Sequence, residues 1–378
     1  MLAFCHRLVR DAFATGTPTP FYLFSAEPIA EALEELRVLG PEAGRAALPR
    51  GLGDNSSTPT SEEQKPRGSA ALPPIRHWLS CKTQPVATLF RWWRKQGRPI
   101  EVVSEFEHLA ARQEGFATED ILINGPAKHR WLPRVAVEGM RVNFDSPGEL
   151  KALLPLAKKL RWRVGLRLRT SLEHDPENPE FPTQFGFEPS EAVAALRKLK
   201  RAGLAAETLH FHLRTNVASA AIYEQAIREA HAFCTAANWW PAFLDCGGGL
   251  PPRHTFSRDG KPFAAGWRSS DSQFDQSLLT SAATGLEGLA AVFRRWLPRF
   301  AGLRELWLEN GRVLRPVGDT FLARPGGGAV AREREAHTRE RRGAVRRLVG
   351  PVARTAAGAA ARATSSCRRP CGTGPAAP

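Results

Sequence analysis

The chain has 378 residues and a mass of 41.5 kDa, more than one average domain needs. Its 42% apolar and 24% charged residues exclude a chain that is disordered or fibrous throughout. The 53 Lys and Arg against 38 Asp and Glu give +15 and a pI of about 10.2, a balance that raises an anionic partner.

In chain order, the opening MLAFCHRLVRDAFATG breaks its apolar residues with His6, Arg7, Arg10 and Asp11, which does not make a secretory h-region. A strand over Phe21–Ser25 and a helix over Glu27–Val38 make up an N-terminal segment, 1–39. Residues 40–75 hold six Pro, no aromatic residue and the polar centre DNSSTPTSEEQKPRGS, and read as a flexible insertion. From 76 to 324, short β-like apolar runs alternate with helical patterns. Strands are expected at 76–81, 100–104, 121–124, 140–144, 163–168, 208–213, 242–246 and 305–309. The clearest helices are 147–160, with Ser146 as N-cap, Pro147 at N1 and Glu149 closing a capping box, and 190–202, with an apolar face at Val193, Leu196 and Leu199. Eight β/α units in sequence predict an α/β fold of the (β/α)8 TIM-barrel type, ahead of an open doubly wound sheet.

Residues 325–378 have no aromatic residue and no Ile; they read as a disordered Arg/Ala/Gly/Pro-rich tail. That tail holds eleven Arg against three acidic residues, more than half of the charge excess. It lacks interleaved aromatics, so nucleic acid is not the expected partner. No run reaches the roughly 18 apolar residues of a membrane span. The six cysteines form no CxxC pair, so neither a zinc site nor a disulfide framework is expected, and a soluble protein of the reducing cytoplasm is.

Barrel enzymes carry their chemistry at the C-terminal ends of the strands, and here those ends are polar. Lys82 follows strand 1; desolvated it would be a Schiff-base nucleophile, otherwise a rim lysine. Strand 2 leads through Glu101 to Ser104 and Glu107, which are also spaced as a capping box. Strand 5 contains Arg167 and strand 6 His210 and His212; the latter is either a ring that stacks on a cofactor or a hydrogen-bonded barrel histidine. After strand 7, Gly247, Gly248 and Gly249 form either a phosphate cradle or a tight turn. Glu309 and Arg312 flank Gly311 and would serve a ring nitrogen and a phosphate, or pair with each other. Together these residues are what a phosphorylated, aldehyde-bearing ring cofactor requires.

The order of motifs resembles the fold-type III pyridoxal-phosphate decarboxylases, the ornithine/diaminopimelate decarboxylase group with its alanine-racemase-like barrel. The matching segments are T-P-F-Y-L-F (19–24), K-T-Q-P from Lys82, Glu101 to Glu107, Gly125 to Lys128, Asn143 to Leu150, H-F-H-L-R-T (210–215), Asp245 to Gly249 and Glu309 to Arg312. The resemblance implies pyridoxal 5'-phosphate bound as a Schiff base to Lys82, with His212 stacking on its ring and Glu309 on the pyridine nitrogen. It implies a phosphate held by Gly247, Gly248, Gly249 and Arg312, with Glu101, Ser104, Arg167, Thr215 and Gly311 also in the cofactor site. The implied activity is decarboxylation of a small amino acid, as in lysine or polyamine biosynthesis, by a homodimer when a second domain is present. A non-catalytic or regulatory cofactor-binding barrel is the alternative.

Arg214 and Thr215 stand where the family has Gly-Ser, Gln184 where it has Lys, and Asn310 where it has Pro. The strand and helix before the barrel read as a remnant of a second, β-rich domain. Its C-D or C-E motif and late tyrosine have no counterpart, since the last tyrosine is Tyr223, and 325–378 reads like GC-rich sequence translated out of frame.

Overall fold

The structure, a computed structural model, describes residues 24–44, 72–172, 185–213, 217, 219–251, 283–314, 321–323 and 330–332. Eight parallel strands close a barrel in sequence order: β1 Ile75–Ser80, β2 Ile100–Val102, β3 Ile121–Ile123, β4 Arg141–Phe144, β5 Arg163–Arg167, β6 Ala206–His210, β7 Phe243–Asp245 and β8 Glu305–Asn310. Helix α1, Glu27–Leu36, precedes the barrel. Between strands lie α2 Ala87–Lys95, α3 Glu105–Gln113, α4 Leu132–Val135, α5 Pro147–Lys159, α6 Pro189–Arg201, α7 Ala220–Ala237 and α8 Ala283–Trp296. The expected (β/α)8 barrel is therefore the fold, and all eight expected strands are present.

The strands read as half-polar because their interior face is polar at both ends. Residues alternate sides along a strand. The outward set, such as Leu79, Val142, Leu166, Leu209, Leu244 and Leu308, joins one large apolar cluster with the helices. The inward set includes a separate small cluster of Trp78, Leu122, Phe243 and Trp307. Phe243 and Trp307 stack with centroids 4.7 Å apart, and the Arg141 guanidinium lies 5.7 Å from the centroid of each of those two rings. Beside this layer Arg76 makes two hydrogen bonds to Glu305, at 2.7 and 2.6 Å, which join β1 to β8. The inward residues nearer the strands' C-terminal ends (Ser80, Glu101, Asn143, Asp245 and Glu309) are polar and buried. They form the floor of the candidate site.

Several expectations are corrected. Phe24 and Ser25 are not in a strand; residues 21–23 of the expected N-terminal strand lie outside the described residues. The insertion expected over 40–75 is anchored at both ends. Ala43 N–H bonds Ile75 O at 2.8 Å, Ile75 N–H bonds Pro41 O at 2.7 Å, and Glu42 pairs with Arg98; residues 45–71 lie outside the description. His212 is not part of strand 6, which ends at His210. At α5 the capping box is half formed. Ser146 Oγ accepts from Glu149 N at 3.3 Å, but the Glu149 carboxylate accepts from Asp145 N and Lys128 N instead of Ser146 N. Within the expected tail, β10, Val330–Arg332, pairs antiparallel with β9, Phe321–Ala323. Among the described residues no helix is long and apolar enough to cross a membrane.

Candidate active site

At the C-terminal ends of the strands one cavity is lined by Ser80, Lys82, Thr83, His212, Gly248, Gly249, Leu250, Glu309, Gly311 and Arg312. Strand β1 runs into a short 3-10 turn, Cys81–Thr83, that carries Lys82 to the rim, where it is exposed rather than desolvated. The turn is held by Thr83 Oγ1, which donates to Ser80 O at 2.8 Å.

Glu309 ends the inward row of β8 and is buried. Its Oε1 accepts from Asn124 Nδ2 at 2.5 Å, its Oε2 lies 3.1 Å from His212 Nδ1, and Oε1 lies 3.3 Å from His210 Nε2. It is not ion-paired with Arg312 among the described residues. Burial raises its carboxyl above the usual range, against the pull of Lys82 and Arg167. Asp245 is pushed up strongly by burial and by Glu309, and Glu101 upward by the same two causes. The imidazoles go the other way: burial first, then Lys82 and Arg167, holds His212 well below its ordinary range. Neutral rings therefore face a cluster of buried carboxyl groups.

The glycine loop after β7 is tight for a reason visible in its neighbours. Gly247 has φ +62 and Gly249 φ +107, the left-handed region that favours glycine. A Cβ on Gly247 would lie 2.7 Å from both His212 Nδ1 and Phe211 O, and one on Gly248 would lie 2.8 Å from Glu309 O. Gly311 faces Thr83 in the same way, at 2.5 Å. Gly248 N–H points at His212 Nδ1, 3.3 Å away, and Tyr223 Oη donates to Gly248 O at 2.7 Å.

The structure thus brings Lys82, His212, Gly248, Gly249, Glu309, Gly311 and Arg312 to one cavity, with Gly247 beside it. Glu101 is buried next to it and accepts from Ser80 Oγ at 2.7 Å. Arg167 is turned toward Asp145, Nη1 to Oδ1 3.1 Å, and packs 5.2 Å from the Phe185 ring. Ser104 does not line the cavity: its hydroxyl caps α3, accepting from Glu107 N at 3.3 Å, while the Glu107 carboxylate takes Val103 N at 2.8 Å. Thr215, with Arg214 and Gln184, lies outside the described residues. Sequence reasoning missed Ser80, Asn124, Asn143 and Tyr223. The first three share the signal of a polar residue on the inward parity of a barrel strand, or one step beyond it. His210, His212 and Glu309 each offer a ligand atom within 4.8 Å of the others, a set that could also hold a metal ion.

Residues 62–276, more than half of the chain, match the family described as pyridoxal-dependent decarboxylase, pyridoxal binding domain. Diaminopimelate decarboxylase of Actinosynnema pretiosum is 29% identical over 190 residues, covering 48% of this chain and 43% of that protein. The Deinococcus radiodurans diaminopimelate decarboxylase is 25% identical over 307 residues, 81% and 64%. The chain therefore spans less than two thirds of either relative. In fold it is similar to the lysine/ornithine decarboxylase of Vibrio vulnificus, with a TM-score of 0.55 at 14% identity, covering 83% of this chain and 67% of that one.

Proposed function

The chain belongs to the pyridoxal-dependent decarboxylases by their pyridoxal-binding domain, and on that premise we propose that it binds pyridoxal 5'-phosphate and decarboxylates a small amino acid. The observation that carries the reading is the convergence on one cavity of a lysine, a buried carboxylate, an arginine and glycines of which Gly248 and Gly311 have no room for a Cβ. A flat phosphorylated ring fits that donor set. The glycine loop Gly247, Gly248 and Gly249, with the Arg312 guanidinium, would hold the phosphate; the Gly247 N–H is already given to Asp245 Oδ1, so that glycine would serve by leaving room rather than by donating. Glu309 would hold the ring nitrogen, and His212, two residues beyond β6, would stack on the ring. Lys82 would be the covalent anchor, exposed at the rim on a turn fixed by Thr83. Arg167, held on Asp145, and Glu101, held by Ser80, do not line the cavity and would act on the cofactor through their charges, and Ser104 is assigned to its helix cap.

When bound, the cofactor supplies an electron sink for the pair left behind as CO2 departs. The chain's own contribution is placement and proton control. Glu309, fixed at Oε1 by the Asn124 amide, would favour a protonated ring nitrogen, and the neutral His212 adds no competing positive charge. A small amino acid of the kind the relatives' names indicate, a diamino or otherwise basic amino acid, is the substrate class in this reading. A soluble, cytoplasmic enzyme, paired as two copies where a second domain is present, belongs to the same proposal. The relatives, being named as decarboxylases, do not favour a non-catalytic carrier.

The test is direct. Purified protein given pyridoxal phosphate is expected to gain a visible absorption band, and borohydride to leave the cofactor covalently attached. Lys82→Ala is expected to retain no label. Release of CO2 from meso-diaminopimelate, ornithine, lysine or arginine would identify the substrate; a trapped cofactor without CO2 from any amino acid would reject the catalytic part.

A further inference from the structure

The polar interior of the barrel contains a chain of hydrogen bonds that ties residues of separate motifs together. Asn143, on β4, donates from Nδ2 to Asn124 Oδ1 at 2.9 Å and to Asp245 Oδ2 at 3.4 Å. Because Asn124 Oδ1 is thereby an acceptor, its Nδ2 is the end that faces Glu309, and it donates to Oε1 at 2.5 Å. At the other end Asp245 Oδ1 accepts from Gly247 N at 3.0 Å. The sequence of contacts runs unbroken from the glycine loop through Asp245, Asn143 and Asn124 to Glu309, and all four side chains are at most 3% exposed.

Two features show that the barrel is built around this chain. Buried amides are costly unless bonded, and barrel interiors are ordinarily filled by branched aliphatic residues. Here two amides occupy the same level as three carboxyl groups. In addition β5 carries Gly165 directly beside Asn143 in the strand register. A Cβ on Gly165 would lie 2.1 Å from Asn143 Oδ1 and 2.7 Å from Thr208 Cβ. The glycine is the space into which the amide fits.

We infer that Asn124 and Asn143 are positioning residues which orient Glu309 toward the ring nitrogen and couple it through Asp245 to the glycine cradle, with Gly165 providing the room. This rests on the proposed cofactor site. It adds that the two contact points of the cofactor, ring nitrogen and phosphate, are set by one hydrogen-bonded unit. A change in any member is felt at Glu309 without touching the ligand.

The experiment compares two probes, pyridoxal phosphate and its analogue with the ring nitrogen replaced by CH, titrated into wild type and Asn124→Leu. Affinity is read from fluorescence quenching and the bound form from its visible circular dichroism. Wild type is expected to prefer the nitrogen-bearing probe. Asn124→Leu is expected to bind it about tenfold more weakly, the scale of one hydrogen bond to a charged group, with an altered dichroic band and little change for the CH analogue. Equal weakening of both probes would mean a merely structural role, and no weakening would mean no role; either overturns the inference. Should Asn124→Leu fail to fold, Asn143→Ser keeps a small polar group in the interior and gives the same comparison. Failure of wild type to bind either probe would instead reject the cofactor site itself, so the two readings fail separately.

Discussion

At the residue scale, the site is a set of side chains whose neighbours leave no latitude. Gly247 shows this most sharply: its φ of +62 and the 2.7 Å approach to Phe211 O demand glycine for two separate reasons. Gly247→Ala is expected to cost about 1–3 kcal/mol of stability from strain and overpacking, measurable by urea unfolding, and to weaken cofactor binding as the loop moves. The candidate residues that meet at the cavity are legible because each has a characteristic residue type in an ordered series: Lys82 after β1, the glycines after β7, Glu309 and Arg312 around Gly311. What was not legible depends on strand register. Asn124, Asn143 and Asp245 are distant in sequence and meet only because β3, β4 and β7 point them into one barrel. Gly165 looked like an ordinary strand residue until Asn143 was placed beside it. Ser104 was read both ways, and its hydroxyl proved to be occupied by the helix it caps.

At the element scale, the loops after β3 and β4 are joined by an ion pair between two of the motif residues. Lys128 Nζ lies 2.7 Å from Glu149 Oε1, with side chains 0% and 1% exposed, and also donates to Gly125 O. Glu149 further accepts the backbone N–H groups of Lys128 and Asp145, at 3.0 Å each. One carboxylate on α5 therefore organises both loops. Removing one partner of such a pair leaves an uncompensated buried charge. Lys128→Met is expected to destabilise by about 3 kcal/mol, the low end for a broken buried pair because Glu149 keeps its two backbone donors; a fall in the urea midpoint checks it. The strands are legible from short apolar runs, and the helices over Pro147–Lys159 and Pro189–Arg201 from their caps and apolar faces. Boundaries slipped where a polar inward residue followed the last ladder bond, as at His212, because a strand and its continuing loop share the same alternation.

At the scale of the whole molecule, the closure of β8 onto β1 contributes to stability and to its pH dependence. Five residue pairs from Ile75↔Leu306 to Leu79↔Asn310 form this seam. His77 lies on it, its Nδ1 2.8 Å from Asn310 Nδ2, and burial, helped by Arg98, pushes its pKa down to about 3. Between that value and the ordinary 6.5 the unfolded chain binds a proton that the folded chain refuses, so stability falls as pH drops through this window. The slope is about 1.4 kcal/mol per pH unit for this one group. The buried carboxyls with raised pKa act in the opposite sense but are shared by His77→Gln. The difference between the two stability-versus-pH curves therefore isolates His77, and His77→Gln is expected to lose less stability on acidification. The same seam carries an optical consequence. Trp78 on β1 and Trp307 on β8 stand 4.9 Å apart with their planes tilted by 57°, close enough for their electronic transitions to couple and skewed enough for the coupled pair to be chiral. The two indoles are brought together where the first and last strands meet, within the cluster they share with Leu122 and Phe243. Their near-ultraviolet dichroism is thus a built-in gauge of whether the ring of strands is shut, separate from the amount of helix or sheet present.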